Sequence, residues 1–452
     1  MATGKVTVIG AGLCGSLLAI RLAQRGYQVE IFEQRPDFRT VTTYAGRSIN
    51  LALSDRGWEG LKKVGLDAVI APLCIPMHGR MIHAEQGGQH YAAYSGRPGE
   101  YINSVSRQQL NIEMIKKAAG MPGVDVHFQT RCVEVDLQQG RAVFEHLVSG
   151  ERLEASGDVV IGTDGAGSVL RKSMVAQSAE LGFNFSQEFL SHGYKELTIP
   201  PDASGGFRID KHALHIWPRG GFMLIALPNL DGSFTVTLFL PFEGSKSFQA
   251  LDTPEKIMAF FREEFPDVIP HMPDLLEDFA NNPASMLGTV KCFPWQAFGK
   301  TLLMGDAAHA IVPFYGQGMN ASFEDVVVLD QMLDQYGDNW EAVFNHFQEH
   351  RKPDADAIAD LALDNFEEMK AHTANPLFNL KHKLELQMEQ QIPEFSSKYS
   401  MVTFREDLRY SEAISRGRKQ DAVLMQLCAG VTDPGAVDIL QFFRDFKESM
   451  LK

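Results

Sequence analysis

The sequence predicts an α/β fold with a parallel sheet, an inserted antiparallel sheet and a helical C-terminal region, and three observations predict it. A strand, a glycine turn, a helix and a second strand follow one another within the first 35 residues. Three strand-like runs separated by glycine-containing hairpin signals occupy the middle of the chain. From Ser322 onward the pattern is almost wholly helical. The 452 residues allow two or three domains.

The elements follow in order. Val6, Val8 and Ile9 form a first strand. Leu13, Leu17, Leu18, Ile20 and Leu22 give a helix with a broad apolar face, as a helix lying on a sheet requires. Gly26 stops it, and Val29, Ile31 and Phe32 make a second strand. This is a βαβ unit, hence a parallel sheet. Ser106 and Gln109 have capping-box spacing ahead of Leu110, Ile112 and Ile115. Residues 157–162 read as a short buried strand. His212–Trp217, Phe222–Leu227 and Phe234–Leu240 are strand-like, separated by Gly220-Gly221 and Asp231-Gly232. Val236, Leu238 and Leu240 alternate with Thr235, Thr237 and Phe239, so one face meets a core or pocket. Strand character returns at Thr301–Met304 and ends in Gly305-Asp306. The expected division is a discontinuous domain at 1–72, 101–177 and 285–335, a β-sheet domain at 73–100 and 178–284, and a helical region at 336–452.

Composition sets limits. Apolar residues are 44% and charged residues 22%, ordinary for a globular chain. A net charge of −15 argues against a nucleic-acid partner, because phosphate contacts need clustered Lys and Arg. The five cysteines are an odd number without a CxxC pair, which argues against a disulfide framework, a thiolate metal site or a dithiol centre. No uncharged apolar run reaches the length of a membrane span, and no signal segment is visible. The expected location is therefore cytoplasmic and soluble. The run Leu440–Lys447 is too short and too charged to span, and is expected to dock on the chain's own core.

Gly10-Ala11-Gly12-Leu13-Cys14-Gly15 is a GxGxxG placed between a strand and a helix. Gly10 permits the turn, Gly12 admits a pyrophosphate, Gly15 lets helix and strand pack, and the helix N-terminus faces the phosphates. Glu33, at the end of the second strand, is placed to accept hydrogen bonds from a ribose. A chance glycine turn is the plain alternative, and the motif alone does not separate FAD from NAD. Two later runs do. Asp158–Gly167 reads DVVIGTDGAG and continues to Arg171, and Thr301–Asp306 reads TLLMGD before Ala307-Ala308-His309. In this order they are similar to the motifs of the single-component aromatic hydroxylases of the p-hydroxybenzoate hydroxylase type. The resemblance implies a Rossmann-like FAD-binding domain holding FAD non-covalently. It places Asp306 on the ribityl and phosphate part of FAD. Gly316, Gly318, Met319 and Asn320 would lie beside the isoalloxazine at a helix start, where backbone N–H groups stabilise negative charge on the reduced flavin. Arg107 would face the pyrophosphate; a solvated surface arginine is its alternative. His309 is expected to be structural. No second GxGxxG is present, which fits NADPH as a transient co-substrate.

A second group of blocks narrows the resemblance: Gly46–Ser54 (GRSINLALS), Gly79–His83 (GRMIH), His192–Leu197 (HGYKEL), His215–Pro218, Ala226–Asn229, Pro313–Asn320, Asn365–Met369 and Tyr399–Phe404. Within those hydroxylases they resemble the kynurenine 3-monooxygenase family. That resemblance implies hydroxylation of L-kynurenine to 3-hydroxy-L-kynurenine with NADPH and O2, through a flavin C4a-hydroperoxide and without a protein acid or base. It implies that Arg80, Tyr94 and Tyr399 hold the substrate carboxylate, with Asn365 nearby. A guanidinium fork matches a carboxylate and tyrosine hydroxyls complete its bonds. Leu224, Phe234, Thr235 and Phe314 are expected to line the ring pocket, with ordinary core packing as the alternative. Two other functions stay open: a hydroxylase of another aromatic acid, and a peroxide-releasing flavoprotein acting as a redox or interaction module.

Overall fold

The computed structural model describes residues 4–40, 50–371, 376–431, 433 and 435–451. Gly46, Arg47, Ser48 and Ile49 of the GRSINLALS block lie outside the described residues. The chain forms two units: Met1–Cys74 with Val105–Phe189 and Gly288–Ala359, and Ile75–Ser104 with Leu190–Leu287 and Asp360–Lys452.

The first unit is built on a sheet of six strands, in the order Gln296–Ala297, Thr301–Leu303, Val159–Gly162, Lys5–Ile9, Gln28–Phe32 and Val124–His127. Five run parallel and Gln296–Ala297 closes the edge antiparallel. The helix Leu13–Gln24 buries Leu17, Leu18, Ile20 and Leu22, the apolar face the sequence predicts. The helix Arg107–Ala119 starts as predicted at Ser106, whose side chain accepts the Gln109 N–H at 3.3 Å. The Gln109 side chain donates forward to Glu113 Oε1 at 3.2 Å.

In the second unit strands take the order Asn184–Ile199 (from Leu190 onward), Phe234–Pro241, Met223–Pro228, Ala213–Pro218, Gly79–His83 and Gln89–Ala93. From Asn184–Ile199 to Gln89–Ala93 the pairings are antiparallel, except that Ala213–Pro218 and Gly79–His83 run parallel. That one exception departs from the sequence reading. Parallel neighbours need a long crossover, and the chain between these two strands runs through the first unit. Leu197, Leu224, Val236 and Leu238 face an apolar layer with Phe260, Phe261 and Phe265. Fully buried side chains such as Phe261 are worth roughly 1.5–3 kcal/mol each. The helices Pro376–Gln391, Tyr410–Ala429 and Ile439–Met450 share another core, and the last buries Ile439, Phe442, Phe443 and Phe446 in it. Among the described residues no helix is long and apolar enough to cross a membrane.

Candidate active site

The glycine turn of the first unit has the shape each of its glycines was expected to give. Gly10 has a φ of +98°, and a Cβ there would stand 2.8 Å from the Thr163 carbonyl oxygen. A Cβ on Gly15 would come within 2.1 Å of the Gly10 carbonyl oxygen, so helix and strand meet through this glycine. At Gly12 a Cβ would meet nothing within 4 Å. The helix Leu13–Gln24 has no side-chain cap and no acidic residue in its first turn. Open space over uncapped N–H groups is what a pyrophosphate requires. Glu33 is buried, and its Oε2 accepts the Ala11 N–H at 2.8 Å. Its other oxygen accepts Arg35 Nε at 2.8 Å, which fixes the carboxylate at the mouth of the turn.

Two further segments complete the cradle. Thr163 Oγ1 donates to the carbonyls of Ile9 and Gly10, at 2.9 Å each. The buried Arg171 donates to the Ala307 carbonyl at 2.7 Å and to that of Ala166, tying the two later motifs together. Asp306 is exposed at the start of Asp306–His309, after Gly305 with its φ of +58°. Arg107 is exposed at the start of its helix. His309 is buried, with Nε2 at 2.6 Å from Asp325 Oδ2, which also accepts the Gly305 N–H at 2.9 Å. Asp325 Oδ1 accepts from the fully buried Arg351 at 2.8 Å. Burial works to raise the Asp325 carboxyl, but His309 and Arg351 hold it below the usual range. Sequence reasoning missed Asp325 and Arg351, since neither lies in a recognisable spacing.

Gly318–Tyr336 begins without a side-chain cap or an acid in its first turn, after Gly316 in the left-handed region at a φ of +69°. Asn320 anchors that start: its Nδ2 donates to the carbonyls of Ala52 at 2.9 Å and Gly316 at 3.0 Å, and its Oδ1 accepts the Ser54 N–H at 3.1 Å. Met319 and Phe314 are buried beside it. Gly10, Gly12, Gly15, Glu33, Asp306, Gly316, Gly318, Met319 and Asn320 thus all belong to one unit, and its open turn with two uncapped helix starts fits FAD.

The second unit brings Arg80, Tyr94 and Tyr399 together. The Arg80 guanidinium carbon is 5.3 Å from the Tyr94 ring centroid and 5.1 Å from that of Tyr399. The two rings stack at 5.2 Å with 9° between their planes. The Tyr94 hydroxyl is sealed from solvent with no partner at hydrogen-bond geometry among the described residues, although the Arg80 charge lies beside it. Burial raises both phenols, which therefore stay protonated and can donate. Asn365 is half-buried on the helix Trp340–Ala371, in its portion belonging to the same unit.

Strand alternation corrects two pocket assignments. Arg80 pairs with Leu214, and Ile82 with Ile216, Ile216 with Ile225 and Ile225 with Thr237. Paired residues share a face, so Arg80, Ile225, Leu227, Thr235, Thr237 and Phe239 lie on one side. Leu224 and Phe234 lie on the other, fully buried in the apolar layer with Trp217 and Leu238. They are core residues, because neighbours in a regular strand point to opposite faces. Thr235 shares the Arg80 face, together with Ile225, Leu227, Thr237 and Phe239.

A family model described as an FAD binding domain matches residues 3–362. A kynurenine 3-monooxygenase of Myxococcus xanthus is 48% identical over 435 residues, 96% of this chain and 93% of its own. One from Dictyostelium discoideum is 44% identical over 444 residues, 95% of this chain and 94% of its own. Among solved structures, a 2-methyl-3-hydroxypyridine-5-carboxylic acid oxygenase superposes with a TM-score of 0.66 at 22% identity, covering 85% of this chain and 96% of that one. This last likeness speaks for the fold alone. With an FAD cradle, and with relatives this similar along almost its whole length, the chain belongs to the kynurenine 3-monooxygenase family of FAD-dependent oxidoreductases.

Proposed function

We propose that this chain hydroxylates L-kynurenine at ring position 3, consuming NADPH, a proton and O2 and releasing 3-hydroxy-L-kynurenine, NADP+ and water. The observation that carries the reading is the Arg80–Tyr94–Tyr399 cluster. It sets one guanidinium against the buried Tyr94 and half-buried Tyr399 phenols, which remain donors, the chemistry that takes up a carboxylate. In this reading the substrate's amino-acid end is held there, with Asn365 assisting. Thr235, with Ile225, Leu227, Thr237 and Phe239, forms an apolar wall on the same sheet face that excludes water.

Bound FAD supplies the electron transfer and oxygen chemistry; Gly12 and the uncapped N–H groups of Leu13–Gln24 hold its pyrophosphate, and Glu33 its ribose. Asp306 takes the ribityl and phosphate part, Arg107 faces the pyrophosphate, and the N–H groups at Gly316–Asn320 stabilise charge on the ring system. No protein acid or base is required, because an aniline ring is already electron-rich; the residues orient and shield. The test is aerobic NADPH consumption with and without L-kynurenine, with the product identified. Substrate-stimulated oxidation with 3-hydroxy-L-kynurenine as product supports the reading. Oxidation yielding only hydrogen peroxide, whatever the aromatic acid offered, would defeat it.

A further inference from the structure

The apolar layer beneath the second unit's sheet is interrupted by a chain of polar side chains. His83 ends the strand Gly79–His83, and His215 belongs to its parallel neighbour Ala213–Pro218; each is 2% exposed. Met81 lies opposite His215 in register, so both histidines fall on the face turned away from Arg80. The His83 ring stacks on Trp217 with centroids 3.9 Å apart. Its Nδ1 is 2.8 Å from Asp267 Oδ2, which also accepts the Trp217 indole N–H at 2.8 Å. Its Nε2 is 2.9 Å from His215 Nδ1, and His215 Nε2 is 2.8 Å from the Asp210 carbonyl oxygen.

Proton counting decides the charge of this chain. The Asp210 carbonyl only accepts, so His215 Nε2 must carry a hydrogen. The Nδ1 of that neutral ring then accepts, so His83 Nε2 must donate. The contact between His83 Nδ1 and the Asp267 carboxylate needs a third proton, and two neutral imidazoles carry only two. With two protons, one contact sets lone pair against lone pair; Asp267 is half exposed, with 46% of its side chain open to solvent, but both imidazoles are buried, so the ring left without a partner bears the cost of an unsatisfied polar group. We propose that this chain holds the third proton, as a His83 imidazolium against the Asp267 carboxylate, and that the resulting net-neutral unit positions the strand presenting Arg80.

The surroundings agree. Placing the third proton on Asp267 would satisfy the count, but a carboxylate is the weaker base by roughly two to three units in water. Although burial works to raise it, bonds from His83 and Trp217 hold the Asp267 carboxyl below its usual range. Burial pushes the His215 imidazole down to about 4, which makes it the neutral ring. The other charged groups around the chain bond backbone atoms instead of the two imidazole rings, or are lowered in basicity. Arg219 donates to the His83 carbonyl at 3.1 Å and the Glu264 carbonyl at 2.6 Å. The Asp210 carboxylate accepts the His212 N–H at 2.8 Å. Burial and then the Arg208 charge lower the His271 imidazole, which therefore does not compete for the proton.

A one-residue slip of Gly79–His83 against Ala213–Pro218 would turn Arg80 from its own face into the apolar layer. An apolar pair in place of the histidines would pack but would not select one register, and selecting register is the best-attested use of buried polar groups. The histidine bond and the Trp217 stack fix that register at one end of the strand.

The inference rests on the proposed function only for the role of Arg80, and its first test does not involve substrate. Histidine nitrogen NMR of the FAD-loaded protein near neutral pH should show one buried ring with both nitrogens protonated, absent from His83→Gln and from Asp267→Asn. Two neutral rings in the wild-type protein would overturn the proton count. In steady-state kinetics, Asp267→Asn should raise KM for L-kynurenine on the order of tenfold, the loss of one charge-assisted hydrogen bond, with kcat nearly unchanged. Asp267→Glu should recover part of the loss. A KM equal to that of the wild type in Asp267→Asn, with FAD content intact, would overturn the positioning role. If the wild type did not turn over L-kynurenine at all, the proposed function would fail while the NMR result would stand.

Discussion

At Arg80 a single side chain meets two stacked phenol rings, and its expected role makes a sharp demand on kinetics. If it pairs with a substrate carboxylate in a desolvated site, Arg80→Ala leaves that carboxylate without its main partner. Such truncations cost about 2–5 kcal/mol, or roughly 30- to several-thousand-fold in kcat/KM. FAD content and melting temperature should change little. Arg80→Lys should rescue only in part, since a point charge does not reproduce the fork. A decarboxylated analogue of L-kynurenine should lose far less than L-kynurenine itself; equal losses for both would make Arg80 structural. The glycines of the turn allow a paired test. A Cβ at Gly15 would collide with the Gly10 carbonyl, whereas one at Gly12 meets open space. Gly12→Val should therefore fold and melt like the apoprotein yet carry no FAD. Stoichiometric FAD in that variant would sink the phosphate-loop assignment.

Among whole elements, legibility depended on contrast between faces. The runs expected at His212–Trp217, Phe222–Leu227 and Phe234–Leu240 form as Ala213–Pro218, Met223–Pro228 and Phe234–Pro241. Their orientation was hidden because both faces are buried: Thr235, Thr237 and Phe239 lie out of solvent along with Val236, Leu238 and Leu240. Without a polar side, alternation cannot say which face meets the core. The glycine motifs were legible for the opposite reason, since backbone approach and positive φ demand one residue type. The helices from Pro376 onward hide buried charge that no periodicity marks. Lys381 contacts Glu385 at 3.2 Å and Asp421 at 2.5 Å, and Lys398 reaches the other Asp421 oxygen at 2.5 Å. Burial pushes the Glu385 carboxyl up to about 7 despite the Lys381 charge. A carboxyl raised on folding contributes stability that is fully present below its unfolded value, about 4.3, and lost as pH rises through the folded one. Wild type should therefore lose stability from near pH 4.5 to pH 7 relative to Glu385→Gln, which lacks this titration. Thermal melts of both across that range measure it; parallel curves would mean that Glu385 stays ionised.

Considered as a whole, the molecule offers no thiol ready for covalent attachment. Cys14, Cys132, Cys292 and Cys428 are buried and Cys74 is partly so. Burial raises every one of them: Cys74, Cys132 and Cys292 to about 12, Cys428 to about 11, and Cys14 well above its usual value. The thiolate is the nucleophile, so none of these side chains is poised to bond a flavin ring. In the proposed assignment retention then comes from the cradle, and above all from the glycine turn and Glu33 at the adenosine and pyrophosphate end of the cofactor. FMN lacks the adenosine half and its pyrophosphate, so in the proposed assignment it forfeits the Gly12 approach, the helix N–H groups and the Glu33 carboxylate together. Ligand linkage turns this into a melting experiment: a ligand at a hundred times its Kd adds about 2.7 kcal/mol of stability if it binds only the folded chain. FAD added to the apoprotein should raise its melting temperature, while FMN at the same concentration should raise it much less. Acid precipitation of the native protein should leave all of its flavin in the supernatant, as FAD. Flavin retained on the pellet would reveal a covalent bond that the buried thiols do not predict. An equal shift by FMN would show that the glycine turn and Glu33 contribute nothing to affinity, and the assignment of the cradle would fall with them.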